Sequence, residues 1–443
     1  MSYFESLELD KRLLKVLGEI GYKEPTPIQE RAIPEIIAER DIVASAQTGS
    51  GKTGSFLLPL LHRLTIKKVE RSKGPRVVVL VPTRELAIQV AGESQKYSKQ
   101  LPFLTTVCIY GGVPYFKQKR MLARGCDVMV ATPGRLIDLM EQGRVDLKGV
   151  ETLVLDEADR MLDMGFIGPV EEIAAACGKN RQTLLFSATI DKKILRLSSS
   201  LQNDPVEIEM ASEVTSDHIE QRLYYVDNLN HKMQLIDRLI ADKSIYQAIV
   251  FTSTKRKADE LADHFSSNGY SSNALHGDMN QRQRTRTIEQ LRKGKLQILV
   301  ATDVAARGID VLSLTHVINF DLPTQAEDYV HRIGRTGRAG ATGTAYTFAT
   351  YREERDLADI ARLIGSQMKK HTVEGLEPRQ QSASRRGPRG SAGGRPGRPG
   401  SSSGYGKPRF AGGRNNQFGS RKRGDSPRRS GQGQQGQRYA RNG

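Results

Sequence analysis

The sequence is poor in cysteine and has no long apolar run. Its three cysteines, Cys108, Cys126 and Cys177, are odd in number and none is spaced as a CxxC pair. That excludes a disulfide framework and a zinc site, and it matches a reducing compartment. No apolar stretch reaches the length of about 18 residues that a membrane span needs. The opening residues, MSYFESLELD, are acidic and lack the basic and apolar regions of a secretory leader. The expected location is therefore cytoplasmic, with no membrane partner. Acidic residues are the other scarcity. From Arg379 to Gly443 there is one acid, Asp425, against 16 Lys and Arg, and no Ile, Leu, Val or Met follows Leu376. The net charge of +17 thus belongs to the tail, and the body is nearly neutral, with 51 basic and 49 acidic residues. Any nucleic acid held by the body is held by placed groups, not by bulk charge.

At 443 residues the chain exceeds one ordinary domain, and about 150 residues per domain suggests two or three. Residues 1 to about 370 alternate apolar strands with amphipathic helices, the pattern of an α/β fold with parallel sheets covered on both faces. The first series of strands is Asp41–Ala46, Arg76–Pro82, Thr105–Tyr110, Val128–Ala131, Thr152–Leu155 and Gln182–Phe186. The second is Gln221–Val226, Ala248–Thr252, Ser272–Leu275, Ile298–Ala301 and His316–Phe320. A polar, weakly patterned stretch around Asn203–Asp217 separates them. The expected organisation is a first lobe over residues 1–207, a linker over 208–217, a second lobe over 218–370 and a tail over 371–443. A helix is expected within Tyr351–Lys370, where Leu357, Ile360, Ala361 and Ile364 share one face.

The tail buries too little apolar surface to offset chain entropy and is expected to be disordered. Its aromatics, Tyr405, Phe410, Phe418 and Tyr439, lie close to arginines. That pairing suits stacking on unpaired bases while the arginines hold phosphates. The alternative is a solubilising tail with no partner.

The strongest local signal is the run Ile42–Ser45 leading into Ala46, Gln47, Thr48, Gly49, Ser50, Gly51, Lys52 and Thr53, then Phe56–Leu58. Strand, glycine-containing turn and helix start follow one another, as a phosphate-binding loop requires. Gly49 and Gly51 let backbone amides approach the phosphates, and the helix start favours the anion. Lys52 is placed to reach the outer phosphates and Thr53 to ligate Mg²⁺. Ala46 stands where the general G-x-x-x-x-G-K-[ST] string begins with glycine. A second signal is the strand Thr152–Leu155 ending in Asp156, Glu157, Ala158 and Asp159. Acids at the carboxyl end of a parallel strand, beside the loop of a neighbouring one, sit where nucleotides bind. Asp156 is then placed to hold Mg²⁺, directly or through water, and Glu157 to orient and deprotonate the attacking water. Together these read as an NTPase.

With Gly21–Gln29, Pro82–Ala87, Thr132–Arg135, Ser187–Thr189, Ala301–Asp310 and His331–Arg338 added, the sequence resembles the DEAD-box RNA helicases of superfamily 2. The motifs run in family order over about residues 1–370, and Ala46 is normal there. Lobe spacing and the short basic tail look closest to the bacterial RhlE-like branch. The resemblance implies two tandem RecA-like domains, ATP and Mg²⁺ as cofactors, and RNA as partner. By likeness, Gln29 reads the adenine edge, and Phe4 and Tyr22 support the base. Arg335 and Arg338 resemble arginine fingers, and Asp310 the ribose- or finger-positioning acid. Asp159, Ser187, Thr189 and His331 resemble the elements coupling hydrolysis to lobe closure.

The resemblance assigns RNA contacts to Arg84, Gly111, Gly112, Thr132 and Arg135 in the first lobe and Thr302 in the second. Such sugar–phosphate contacts carry no sequence information, so little sequence preference is expected of the core. His276, Gly277 and Asp278, with Gln281 and Arg284, resemble a second-lobe element read as RNA-facing or structural. His218, His231, His264, His316 and His371 have no metal-ligand spacing. The expected activity is a monomeric ATP-dependent helicase that opens short duplexes locally, with a ribosome or ribonuclease partner reached through the tail. The alternatives are an ATP-regulated RNA chaperone or clamp, and a DNA helicase, against which Gln29 and Asp159 argue.

Overall fold

The computed structural model describes residues 3–46, 49–66, 74–210, 218–306, 314–337 and 342–379. Gln47, Thr48, Asp310 and Arg338 lie outside the described residues, as do 211–217 and the chain from residue 380. The first lobe holds β1 (Ile42–Ser45), β2 (Val77–Leu80), β3 (Thr106–Ile109), β4 (Val128–Ala131), β5 (Thr152–Leu155), β6 (Gln182–Ser187) and β7 (Val206–Glu209). The second holds β8 (Ile219–Tyr225), β9 (Ala248–Phe251), β10 (Ser272–Leu275), β11 (Ile298–Ala301), β12 (His316–Asn319), β13 (Gly343–Ala349) and β14 (Lys369–His371). Both sheets are wholly parallel, ordered β3-β4-β2-β5-β6-β1-β7 and β10-β11-β9-β12-β13-β8-β14.

Parallel strands with helices on both faces must be apolar on both faces, which is why the central strands are unbroken apolar runs. In β2, Val77 and Val79 enter one core while Val78 and Leu80 enter the other. In β9, Ala248 and Val250 face one core, and Ile249 and Phe251 the opposite one.

Three strands were not legible as apolar runs. β7 (VEIE) and β14 (KKH) are edge strands whose charged side chains are exposed, a normal way to blunt an edge. β13 is central, yet it carries Thr344 and Thr347, and buried Thr347 accepts a hydrogen bond from Asn319 at 3.1 Å. The expected linker is corrected accordingly: Val206–Glu209 pairs with β1, so the first sheet runs past residue 207. The tail boundary moves as well. His371 lies in β14, Val373 and Leu376 pack on the second-lobe core, and the Arg379 amide donates to Asp227 at 3.0 Å. Within Tyr351–Lys370 the helix is Glu354–Ile364, ended by Gly365 at φ +69, and the last residues are strand.

A buried polar network braces the second lobe. Arg332 donates to Asp303 at 2.6 and 2.7 Å, to Asn319 at 3.2 Å and to the Asp321 carbonyl at 2.6 Å. The Asp321 carboxylate accepts from Lys232 at 2.9 Å, Thr252 at 2.9 Å, Ser253 and Lys257. Burial alone would raise the Asp321 pKa, but Lys232, the Ser253 amide and Lys257 outweigh it and hold the carboxyl well below the usual range. Asp321→Asn should therefore cost the second lobe about 3 kcal/mol at neutral pH, because it leaves Lys232 buried without its counter-charge. The folded pKa lies below the unfolded value near 4, so this contribution is complete above about pH 4 and fades as pH falls further. Urea unfolding of both proteins across that range checks the sign. The stability gap should shrink toward acid, and a pH-independent gap would contradict the assignment.

Candidate active site

β1 delivers the chain to the phosphate loop at the carboxyl end of the first sheet. The Ala46 amide donates to the Ser187 carbonyl at 3.1 Å, and Ser45 Oγ to the Ala188 carbonyl at 3.1 Å. Gly49 and Gly51 adopt φ +90 and +93, a region that strains any side chain, and the helix Lys52–Ile66 begins immediately after. The helix Pro27–Ile37 packs against this helix and starts with a capping box, in which the Thr26 amide donates to Gln29 Oε1 at 3.0 Å. Gln29 Nε2 donates onward to the Gly51 carbonyl at 3.1 Å. Gln29 thus ties its own turn to the loop. A Cβ on Gly51 would come within 2.6 Å of Thr26 Oγ1 and 2.7 Å of Gln29 Nε2.

β5 ends in Asp156, but β5 and β1 are not neighbours, because β6 lies between them. The acid strand and the loop strand therefore share β6, and Ser187–Thr189 at its end sits between the two halves of the site. Asp156 is buried, and burial pushes its carboxyl up to about 6, partly offset by Lys52 and reinforced by Glu157. Among the described residues no three His, Cys, Asp or Glu side chains cluster closely enough to hold a metal alone. Thr53 and Asp156 carry hard oxygens, the donor type that Mg²⁺ prefers, and two such residues would leave room for waters and phosphates as further ligands. Glu157 stands at φ 54 and ψ 50, left-handed for a residue with a Cβ, and its amide donates to Asp156 Oδ1 at 3.0 Å. Strain of this kind is tolerated where the surroundings impose it.

Asp159 joins this site to the second lobe. Its carboxylate accepts from the Ala188 amide at 3.4 Å and lies 3.9 Å from His331 Nε2. The Thr189 amide donates to Ser187 Oγ at 3.4 Å. His331 is carried by the helix Ala326–Ile333, and buried Arg335 follows it. Asp328 of the same helix pairs with Arg160, both buried. A second crossing pair joins Arg284 to Glu85 at 2.8 Å, each side chain only 9% exposed. Arg284 also donates to the carbonyls of His276 and Ala305, each at 3.2 Å, and Gln281 meets Arg84 and Glu85 at 3.4 Å.

The residues expected on the RNA path separate into two groups. The Arg84 guanidinium lies against Gly111 and Gly112, where a Cβ on either would crowd it. The Thr132 amide donates to the Ile109 carbonyl at 2.9 Å, and the Thr302 amide to the Leu275 carbonyl at 3.2 Å, so both turns sit at strand ends. Arg135 is different. It donates to the Val113 carbonyl at 3.1 Å and Gln118 at 3.0 Å, and lies 4.0 Å over the Tyr115 ring. It is turned into its own lobe, because three acceptor and ring partners surround it there. Phe4 is corrected too. At 2% exposure it belongs to the first-lobe core and offers no face to a base, whereas Tyr22 is 41% exposed, with Lys96 over its ring at 5.4 Å.

Glu85, Arg160 and Asp328 had no assigned role in the sequence, and Gln281 and Arg284 no lobe-crossing one. Each flanks a motif, which was the available signal, but the partner across the lobes was not.

Residues 26–197 match the DEAD/DEAH box helicase family, and residues 231–340 match the helicase conserved C-terminal domain. The chain is 44% identical over 332 residues to the ATP-dependent RNA helicase DeaD of Escherichia coli (strain K12), covering 75% of this chain and 52% of that protein. It is 43% identical over 337 residues to the ATP-dependent RNA helicase DBP2 of Candida albicans, covering 75% of this chain and 60% of that protein. The chain thus spans between half and three fifths of these relatives' length. Among solved structures, S. cerevisiae Dbp5 bound to RNA and ADP BeF3 is similar at 31% identity and a TM-score of 0.76, covering 84% of this chain and 96% of that one. The DEAD-box helicase Mss116 bound to ssRNA and UDP-BeF is similar at 29% identity and a TM-score of 0.75, covering 85% of this chain and 81% of that one.

The packing around Gly51 makes a test of the loop. Gly51→Ala should destabilise the first lobe by about 2 kcal/mol, since it adds left-handed strain and a clash at Gln29. On a Gln29→Ala background the same change should cost about 1 kcal/mol less, because one clashing partner is gone. Thermal melts of the four proteins of this cycle measure the coupling, and strict additivity would mean that Gln29 does not hold the loop.

Proposed function

Because the chain belongs to the DEAD-box helicases of superfamily 2, we propose that it is an ATP-dependent RNA helicase, closing two lobes over RNA to open short duplexes locally. The observation that carries this reading is the division of the site. Lys52, Asp156 and Glu157 belong to the first lobe and Arg335 to the second, and Asp159 touches both the Ser187–Thr189 turn and His331.

Lys52 binds the outer phosphates of ATP at the helix start, with the amides of the Gly49–Gly51 turn around them. Gln29, whose amide keeps one N–H and one lone pair beyond its two bonds, reads the adenine edge, and Tyr22 offers a ring face beside it. Thr53 and Asp156 would hold Mg²⁺, which would supply positive charge to the phosphates. Glu157 orients the attacking water and takes its proton. Arg335, with Arg338, neutralises charge developing on the γ-phosphate, a task for planar, always-charged donors. Arg84, Gly111, Gly112, Thr132 and Thr302 line the RNA path and touch sugar and phosphate. RNA bridging both lobes favours the closed state, which completes the catalytic set. Similarity to nucleotide- and RNA-bound Dbp5 supports reading the apposed lobes as that closed state.

Placement within the RhlE-like branch rests on lobe spacing and the short basic tail. The tail adds sequence-independent RNA affinity through its arginines and aromatics. The active unit is a monomer in the cytoplasm, and no helix of the described residues is long and apolar enough to cross a membrane.

Three variants test this reading. Glu157→Gln should bind ATP as the parent does while its RNA-stimulated hydrolysis falls by about 10²–10⁴-fold. Arg335→Ala should lose a comparable factor without weakening ATP binding. A parent chain whose ATPase ignores RNA would overturn the helicase reading. A Glu157→Gln chain that still performs the cellular role would favour an ATP-regulated clamp. Gln29→Ala should blunt the preference for ATP over GTP by about 1–3 kcal/mol. A parent chain that hydrolyses GTP and ATP equally would remove Gln29 from base recognition.

A further inference from the structure

The helix Tyr115–Leu122 follows directly on the Gly111–Gly112 turn and buries one polar residue, Gln118. Gln118 donates to the Tyr110 carbonyl at 2.8 Å and accepts from Arg135 at 3.0 Å. Arg135 also holds the Val113 carbonyl and covers the Tyr115 ring. Polar contacts therefore pin this helix, with Leu122 only partly buried against the core. Its outer face is left to solvent. Phe116 is 66% exposed, Tyr115 and Met121 are exposed, and so are Lys117, Arg120 and Arg124. Phe116 and Arg120 are four residues apart and share one face, with Lys117 and Met121 on the adjoining stripe. No acid occurs from Gly111 to Cys126. Asp138, which meets the helix at Tyr115, is taken up by Tyr115 at 2.8 Å and Arg135 at 3.6 Å.

We propose that this helix is an accessory RNA platform: a single strand leaving the Gly111–Gly112 turn continues across it. One unpaired base stacks on Phe116, and phosphates meet Lys117, Arg120 and Arg124. Arg135 is the positioning residue that pins the platform. The inference rests on the RNA-binding reading of the adjoining turn. An exposed aromatic among unopposed cations is the composition of a single-strand site, whereas lysine is depleted from the centres of protein interfaces.

The test uses the full chain and two single-stranded RNAs, one short enough to fill only the core turns and one longer. Phe116→Ala should raise the Kd for the long strand about tenfold and leave the short strand unchanged. Lys117→Ser with Arg120→Ser should also weaken the long strand and lower its salt slope by about 1–2. Arg135→Ala should copy the long-strand loss and spare the short strand, and an equal loss on both would overturn its positioning role. Unchanged melting curves and unchanged binding of a fluorescent ATP analogue confirm that the variants are folded. A photoreactive phenylalanine at position 116 should crosslink to the long strand. If the parent binds RNA but the variants match it and no crosslink forms, the platform is overturned in favour of a protein-facing surface. If the parent binds neither strand, the RNA reading of the core falls and the platform with it.

Discussion

Two guanidinium–carboxylate pairs, Arg284 with Glu85 and Arg160 with Asp328, cross between the lobes in buried surroundings and hold the two halves of the candidate site against each other. Withdrawing two charges from water costs several kcal/mol, and their attraction returns this only when the geometry is good and further hydrogen bonds are satisfied. Arg284 meets that condition through two carbonyls besides Glu85. In this arrangement both pairs are satisfied, and one that left either member buried and unpaired would be disfavoured. A ligand that contacts both lobes shifts the balance by its differential affinity for the closed state.

Each crossing pair lies beside a group with chemical work. Glu85 follows Arg84, whose guanidinium rests on the Gly111–Gly112 turn. Arg160 follows Asp159, and Asp328 precedes His331 by three residues on one helix, so both project from the same side. Both crossing pairs therefore adjoin residues of the proposed RNA path or of the proposed nucleotide site. Within the first lobe, β6 carries the connection. It lies between the loop strand and the acid strand, its end accepts from Ala46 and Ser45, and its Ala188 amide reaches Asp159. Ser45 of the loop strand is thus two hydrogen bonds from Asp159, which lies 3.9 Å from His331 of the second lobe.

Much of this was written in local pattern. The run from Ile42 to Thr53 specifies strand, turn and helix start through residue types whose preferences act within a few positions. The same holds for Asp156–Asp159 at a strand end. Apolar runs exposed the central strands because both faces are buried, while β7, β13 and β14 escaped notice because charge or hydroxyls replace apolar residues there. Likeness points Phe4 toward the base, whereas packing buries it in the first-lobe core. Likeness points Arg135 toward RNA, whereas Val113, Gln118 and Tyr115 engage its guanidinium.

By itself, then, the sequence determined the two parallel α/β lobes, the phosphate loop and the acids facing it, because turn geometry, helix starts and strand burial are governed by neighbours along the chain. Tertiary structure alone decided which charges meet across the lobes and which way Arg135 turns. Glu85 and Arg284 stand 199 residues apart and Arg160 and Asp328 168 apart. No periodicity spans such separations, and a charged side chain shows its partner only when folding has removed the water around both.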